Sequence, residues 1–285
     1  MNTIDDNQRD IRTVAAGDGI DLQYEVVGDV RGDGPPIVLL HGALVGRAAF
    51  SRQRKTLAEK YRLILPSARA HDGTDATLPE DYGFATSEVR DVLTVMAAEG
   101  VERAHVIAHS SGGATAFQLA RQFPDHVDRL ILIEPSLFNL LPPEGLAPLT
   151  SELAAVIHAH ESGGDLAALQ ACMENIGGDV WHALDEDAKA LRLTRLAPMA
   201  PIILPHINGL HAFKISPADL IALAVPTLLF YGGASFDFEA LIAAVWSQHR
   251  PNIELVTIAD AGHNLHHENS EVVNPLIIDF LDTGV

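Results

Sequence analysis

The stretch "VIAHSSGGATA", residues 106–116, places a serine between an apolar run and a segment with helical spacing. The apolar run covers residues 104–108 and is typical of a buried strand, whereas residues 112–123 have the periodicity of a helix. A sharp turn from a strand into a helix holds a side chain clear of the backbone, next to the free amides of the first helical turn. This geometry suits a nucleophile, and the segment predicts that role for Ser110.

The residues around Ser110 also match a turn pattern. Residues 108–112 read "AHSSG", which is G-x-S-x-G with alanine in place of the first glycine. The amide of Ser111 opens the following helix, and the positive end of the helix dipole would help it to stabilise an oxyanion. A turn of small residues without any chemistry would have the same composition, so the assignment depends on partners elsewhere in the chain.

Two other segments offer such partners. In "VLLHGALVG", residues 38–46, an apolar run ends in His-Gly, and the amide of Ala43 could supply a second donor to the oxyanion. In "IADAGHNLHHE", residues 258–268, a small-residue turn presents His263 ahead of a helical segment. A histidine in such a loop is a natural general base.

Short apolar runs alternate with segments of helical spacing along most of the chain. The runs that predict strands are residues 21–28, 36–40, 61–66, 104–108, 129–134, 226–232 and 253–258. The segments that predict helices between them include residues 87–100, 112–123, 238–249 and 271–281. This alternation indicates an α/β fold with a mostly parallel central sheet and helices on both faces.

The alternation stops after residue 135 and resumes near residue 218, and the intervening sequence is helical and interrupted by prolines. Because this insertion follows the strand at 129–134, it would lie above the carboxyl ends of the strands, where open α/β sheets bind ligands. We expect a core of residues 1–135 and 219–285 and a helical cap of residues 136–218. Within the cap we single out Trp181 as substrate-binding, since a large aromatic side chain has little interior to occupy there.

The composition narrows the function classes. Of the 285 residues, 47% are hydrophobic and 20% are charged, as in a globular protein. The formal charge of -19 would repel nucleic acids and anionic membrane surfaces, so neither is an expected partner. Cys172 is the single cysteine, which excludes an intrachain disulfide. No leader-like pattern stands at the start, the expected location is cytoplasmic, and a homodimer is kept as a candidate assembly.

Several motifs in order resemble those of the α/β-hydrolase fold family over about residues 20–283. They are "HG" at 41–42, "PSARAHDGTD" at 66–75, where the family often has P-D-x-R-G-H-G-x-S-D, the serine turn, and "AGH" at 261–263. The resemblance implies a triad in the chain order serine, acid, histidine and an oxyanion hole formed by the amides of Ala43 and Ser111. No cofactor and no metal ion is expected, because the histidines near His263 lack the spacing of a zinc motif.

The triad acid departs from the family's commonest pattern, in which an aspartate follows the seventh strand as G-x-x-D. Here residues 232–235 read "GGAS", and Ser235 stands at the expected position. Glu134, at the end of the sixth strand, is the favoured acid, in an arrangement that resembles zearalenone-type lactonases. Asp237 is the alternative, and the absence of any functional acid is a third.

The resemblance implies a serine hydrolase that forms an acyl-enzyme on Ser110, and the expected substrate is an apolar carboxylic ester or lactone held under the cap. A serine at this turn argues against haloalkane dehalogenases and epoxide hydrolases, which use an aspartate nucleophile in this fold. Hydrolysis of a carbon–carbon bond uses the same triad and stays an alternative. A non-catalytic ligand receptor on the same fold is the alternative from another class, because the usual acid is missing.

Overall fold

The computed structural model of the chain describes most of the sequence. The described residues are 10–28, 34–177, 181–251 and 253–283. The outer limits of the predicted core, at residues 1 and 285, and residues 178–180 of the predicted cap lie outside the described residues.

Eight strands form one central sheet, which confirms the predicted α/β class. The strands are β1 (Asp10–Ala15), β2 (Asp21–Val27), β3 (Ile37–Leu40), β4 (Leu63–Pro66), β5 (Ala104–His109), β6 (Val127–Ile133), β7 (Thr227–Gly232) and β8 (Glu254–Ile258). Their order across the sheet is β1-β2-β4-β3-β5-β6-β7-β8. The pairs of β2 with β1 and with β4 are antiparallel, and every other pair is parallel. The sequence prediction omitted β1, whose side chains are exposed or half-buried and whose sequence, DIRTVA, contains no continuous apolar run.

Helices cover both faces of the sheet. The α-helices are α1 (Ser51–Leu57), α2 (Ser87–Ala98), α3 (Ser111–Gln122), α4 (Pro143–Ile176), α5 (Glu186–Leu196), α6 (Ile203–Ala212), α7 (Pro217–Ala222), α8 (Asp237–His249), α9 (Leu265–Glu268) and α10 (Ser270–Asp282). One apolar cluster packs side chains of α2, α3 and α8 against one face, and a second packs α1 and α10 against the other. The inner strands are buried on both faces for this reason, which explains why they read as continuous apolar runs.

A helical insertion separates β6 from β7. It contains α4 to α7, and α4 is broken at Gly164, whose φ of 74° and ψ of -163° are not helical. Glycine suits this position because a side chain would be strained at a positive φ. A third apolar cluster belongs to the insertion, and Leu44, from the loop after β3, packs into it. The insertion therefore lies over the carboxyl ends of the strands, as expected of a cap.

Among the described residues, no helix is both long enough and apolar enough to span a bilayer.

Candidate active site

The turn between β5 and α3 holds Ser110 in a strained conformation. Its φ of 54° and ψ of -123° are sparsely populated by residues other than glycine, and such strain persists only where the surroundings fix it. Here the Ser110 amide donates to the carbonyl of Ile133 at 3.0 Å. The Ser110 carbonyl accepts from the amides of Gly113 at 2.8 Å and Ser136 at 3.0 Å. Two of these hydrogen bonds thus fix the turn to the end of β6 and the loop after it, and the third closes the turn itself.

Close backbone contacts explain the glycines beside Ser110. A Cβ atom on Gly112 would lie 2.5 Å from the carbonyl oxygens of both Leu40 and His41. A Cβ atom on Gly113 would lie 2.6 Å from Cβ of Pro135. Real atoms do not approach this closely, so α3 can start beside β3 and β6 only with glycine at both positions. The alanine at 108, in place of the motif's first glycine, is accommodated as a fully buried residue of β5.

Glu134 and His263 form a short charge-assisted pair. Nδ1 of His263 lies 2.6 Å from Oε2 of Glu134, whose side chain is fully buried. The carboxylate also accepts from the amide of Gly232 at 2.7 Å, through Oε1, and from the hydroxyl of Ser235 at 2.6 Å, through Oε2. An ionised carboxylate is an acceptor only, so these three donors fit the charged form. Nδ1 of His263 then carries the proton, and Nε2 is left as an acceptor.

The alternative acid, Asp237, lies elsewhere. It is the first residue of α8 and is exposed. In the described part of the chain, neither a hydrogen bond nor an ion pair joins it to His263. Of the two candidate acids, Glu134 is the one that contacts His263, which it reaches from the end of the neighbouring strand β6.

Ser110 and His263 line one cavity between the sheet and the insertion, with a volume of about 260 Å³. The hydroxyl of Ser110 lies 3.4 Å from that of Ser136, the single hydrogen bond it makes among the described side chains. Its oxygen is free of His263 in this structure, and catalytic hydrogen bonds of this kind often tighten only when substrate binds. Phe138, Phe236 and Phe238 add apolar surface to the wall.

Two neutral histidines fix the loop that contains Ala43. Nε2 of His71 accepts from the amide of Leu44 at 3.0 Å, and Nε2 of His41 accepts from the amide of Ala68 at 3.1 Å. Their Nδ1 atoms are therefore protonated, and they donate to the carbonyls of Arg69 and Gly42, each at 2.8 Å. Burial, together with the neighbouring histidine, lowers the pKa of His41 to about 4, and burial lowers the pKa of His71.

The backbone of this loop lies beside the serine turn. A Cβ atom on Gly42 would lie 2.9 Å from Cβ of Ser110, so the approach again requires glycine. Ala43 and Ser111, the two sequence-predicted oxyanion donors, line the same cavity as Ser110. The structure thus brings all five residues of the predicted machinery to one rim of the sheet.

Trp181 also lines this cavity, from the insertion. Its side chain is 2% exposed and packs in the apolar cluster of the insertion with Leu169 and Met173. Nε1 of Trp181 has no hydrogen-bond partner among the described residues. The side chain is thus both part of the cap's interior and part of the cavity wall.

Sequence reasoning missed Glu239, an ionisable residue beside the Glu134–His263 pair. Its side chain is 2% exposed, lines the cavity and places Oε1 4.0 Å from Nδ1 of His263. Burial and the charge of Glu134 raise the pKa of Glu239 well above its ordinary value. The available signal was its spacing, because Glu239, Ile242, Ala243 and Trp246 share the buried face of α8. An acidic residue on an otherwise apolar helix face is unusual, and this is the signal that could have identified Glu239.

Two further histidines beside the site, His109 and His266, are buried. Nε2 of His109 donates to the carbonyl of His263 at 2.9 Å, and burial lowers the pKa of His109 well below its usual value. Burial also lowers the pKa of His266 to about 3. Glu268 accepts from the amide of Gly262 at 2.9 Å, which supports the loop that carries His263. The His109 ring lies 4.7 Å from the ring of His263 and 4.4 Å from the ring of His266, measured between centroids.

Comparisons with known proteins agree with this geometry. Residues 35–160 match the family model for the alpha/beta hydrolase fold. The chain is 34% identical to a 2-hydroxy-6-oxo-6-phenylhexa-2,4-dienoate hydrolase from Burkholderia cepacia, over 89% of this chain and 90% of that protein.

Solved structures give the same fold. A hydrolase from Pseudomonas aeruginosa PA01 superposes with a TM-score of 0.75 at 22% identity, covering 96% of this chain and 98% of that one. The enol-lactonase from Burkholderia xenovorans LB400 superposes with a TM-score of 0.70 at 20% identity, covering 95% of this chain and 99% of that one. Together with the strained serine turn and the relative that matches along nearly its whole length, these likenesses establish that the chain belongs to the α/β-hydrolase fold family.

Proposed function

We propose that the protein is a serine hydrolase that cleaves a carboxylic ester or a lactone through an acyl-enzyme intermediate. The observation that carries this proposal is the Glu134–His263 pair at 2.6 Å, placed on the same cavity as a serine in a strained turn. A nucleophilic serine needs a base, and the base needs a group that fixes its tautomer. Glu134 supplies that group.

Each side chain then has one role in the reaction. Nε2 of His263 accepts the proton of Ser110 while Oγ attacks the carbonyl carbon, and the carbonyl oxygen becomes an oxyanion. The amides of Ala43 and Ser111 donate to that oxyanion. His263 next gives the proton to the leaving alkoxide, and a water molecule hydrolyses the ester of Ser110. Glu134 stays ionised and stabilises the imidazolium.

The cavity supports an apolar substrate. Its wall combines side chains of the insertion, such as Met173, Ile203 and Leu210, with phenylalanines from the loops after β6 and β7. Ligand sites of this type bind apolar groups and orient them with few polar contacts. We accordingly assign residues 136–218 as a cap domain on a hydrolase core, and Trp181 as a residue that contacts the substrate from the cap.

Hydrolysis of a carbon–carbon bond is the second candidate, and the relative from Burkholderia cepacia favours it. That relative's name describes a dienoate, so its substrate carries a carboxylate. A buried carboxylate needs a cation or several donors to replace its water. In the part of the chain that the structure describes, Arg192 is the one arginine or lysine on the cavity wall, and it is exposed. An uncharged ester or lactone needs no such partner, and it stays the first candidate.

The experiment is a turnover panel with the purified protein. It compares p-nitrophenyl esters of rising chain length, aliphatic and aromatic lactones, and a 2-hydroxy-6-oxo-dienoate, with Ser110→Ala as the control. We expect the protein to turn over esters or lactones, and we expect Ser110→Ala to abolish this turnover. Preferred turnover of the dienoate would transfer the assignment to carbon–carbon hydrolysis. A ligand receptor would turn over none of them.

A further inference from the structure

We propose that Glu239 is a second carboxyl group of the acid–histidine pair, a positioning residue that holds a proton while Glu134 is ionised and that orients His263 when Glu134 is neutral. The inference rests on the proposed role of His263 as the general base. It gives a function to a buried acid that neither the serine turn nor the Glu134–His263 pair uses.

The geometry places three ionisable groups in one small volume. A carboxylate oxygen of Glu134, one of Glu239 and a ring nitrogen of His263 lie within 4.8 Å of one another. The three groups come from different elements, namely the end of β6, the first turn of α8 and the loop after β8. Glu134 and Glu239 are both almost completely buried, at 0% and 2% exposure.

The two carboxyl groups differ in their hydrogen bonds. Glu134 accepts from Gly232, Ser235 and His263, whereas Oε1 of Glu239 has no partner among the described residues. Two carboxylates at this separation in a buried site cannot both be charged without a large cost, so one keeps its proton. The donors stabilise charge on Glu134, and the proton is left on Glu239. The raised pKa of Glu239 has the same two causes, burial first and the charge of Glu134 second.

A neutral Glu239 has a clear consequence when Glu134 loses its charge. Removing that charge removes one of the two causes that keep Glu239 protonated. Burial still favours the neutral acid, but the positive charge that His263 gains during the reaction favours the anion, and Oε1 of Glu239 lies 4.0 Å from Nδ1 of His263. A hydrogen bond needs the two atoms to approach by about 1 Å, which a side-chain rotation can provide. Nδ1–H of His263 would then donate to Glu239 in place of Glu134.

A double-mutant cycle measures this coupling. The four proteins are the parent, Glu134→Gln, Glu239→Gln and the double variant, and kcat and KM are determined separately for an ester that the parent turns over. Residues in one hydrogen-bond network couple by up to about 100-fold in rate, and we expect Glu239→Gln to lower kcat at least about tenfold more in the Glu134→Gln background than in the parent. KM should change little in either background. Asp237→Asn, the exposed neighbour on α8, serves as the matched control in both backgrounds.

Equal losses from Glu239→Gln in the two backgrounds would overturn the proposal, because a purely structural acid acts the same way in both. If the double variant does not fold, Glu134→Gln with Glu239→Met replaces it, since methionine is unbranched and of similar length. Circular dichroism and urea unfolding establish that each compared protein is folded.

A second readout does not depend on turnover. A histidine Nδ1 proton bound to a carboxylate gives a downfield proton resonance, which ¹⁵N-histidine labelling and the His263→Asn variant assign. We expect this resonance in the parent, in a shifted position in Glu134→Gln, and not in the double variant. Its loss in Glu134→Gln would overturn the proposal even if the protein is an active esterase. Its retention in an inactive protein would leave the Glu239 assignment intact and remove the proposed function instead.

Discussion

The hydroxyl of Ser235 donates a 2.6 Å hydrogen bond to Oε2 of Glu134, the same oxygen that accepts from Nδ1 of His263. Ser235 stands where related hydrolases commonly place the acid itself. In this structure the carboxylate that contacts His263 comes from the end of β6, and Ser235, in the loop after β7, is one of its donors. Both positions, 134 and 235, therefore have a polar side chain, but the carboxylate stands at 134 and the hydroxyl donor at 235.

Replacing Ser235 with alanine tests that relationship. The variant removes a donor from a buried carboxylate, and hydrogen bonds to charged groups contribute about 1.5–3 kcal/mol. We expect the free energy of unfolding to fall by about 1–3 kcal/mol and kcat to fall several-fold, because Glu134 is held less firmly. Urea unfolding and ester hydrolysis measure the two effects. Ser151→Ala, an exposed serine of α4, is the control and should change neither. Unchanged stability in Ser235→Ala would mean that water replaces the hydroxyl.

A comparison of Glu134→Gln with Asp237→Asn identifies the acid that acts with His263. Glutamine cannot stabilise the imidazolium and can hold His263 in the wrong tautomer, so kcat should fall by about 10²- to 10⁴-fold. Asp237 is exposed and, among the described residues, forms neither a hydrogen bond nor an ion pair with His263. The kcat of Asp237→Asn should therefore stay within about twofold of the parent value. Steady-state kinetics on one ester are sufficient. A larger loss of kcat in Asp237→Asn than in Glu134→Gln would show that the Glu134–His263 pair does not act in catalysis.

Gly112→Ala tests the close approach that builds the turn. The new Cβ atom would lie 2.5 Å from two backbone carbonyl oxygens, which cannot move as a side-chain end can. We expect the free energy of unfolding to fall by about 2–4 kcal/mol. Gly17→Ala is the matched control, since nothing lies within 4 Å of its added Cβ, and it should shift stability by less than about 0.5 kcal/mol. Similar values for the two variants would argue against the described turn.

His266 makes part of the stability dependent on pH. Burial lowers its pKa to about 3, whereas the unfolded chain protonates histidine near pH 6.5. The unfolded state therefore binds more protons between these values, and the contribution of His266 to stability falls as the pH falls through 6.5. Between pH 7 and 5 we expect the stability of His266→Leu, relative to the parent, to rise by about 2 kcal/mol. Urea unfolding at both pH values measures this, and a pH-independent difference would mean that His266 has the same pKa in the folded and the unfolded protein.

Much of the fold and of the site could be predicted from the sequence. The inner strands were recognisable because burial on both faces forces continuous apolar runs, and β1 was not, because its edge position leaves its side chains in solvent. Glu134 could be selected because Ser235 occupied the usual position of the acid. Motif spacing was informative wherever the backbone itself limits the residue, as at Gly112.

Tertiary contacts decided the rest. The tautomers of His41 and His71 depend on amides from distant loops, which no local pattern reveals. Glu239 became part of the site because α8 turns one face toward β6 and the loop after β8. The sequence shows Glu239 on an otherwise apolar face of a predicted helix. It does not identify the groups that this face contacts in the folded chain.

The most direct test of the account is labelling with a fluorophosphonate, which reacts with an activated serine. Intact-mass and peptide mass spectrometry should find one adduct, on the peptide that contains Ser110. Ser110→Ala should give no adduct, and Glu134→Gln should label at least about tenfold more slowly than the parent, because its histidine is a less effective base. A folded parent protein that stays unlabelled, or that carries the adduct on another residue, would contradict the claim that Ser110, His263 and Glu134 act as one nucleophilic unit.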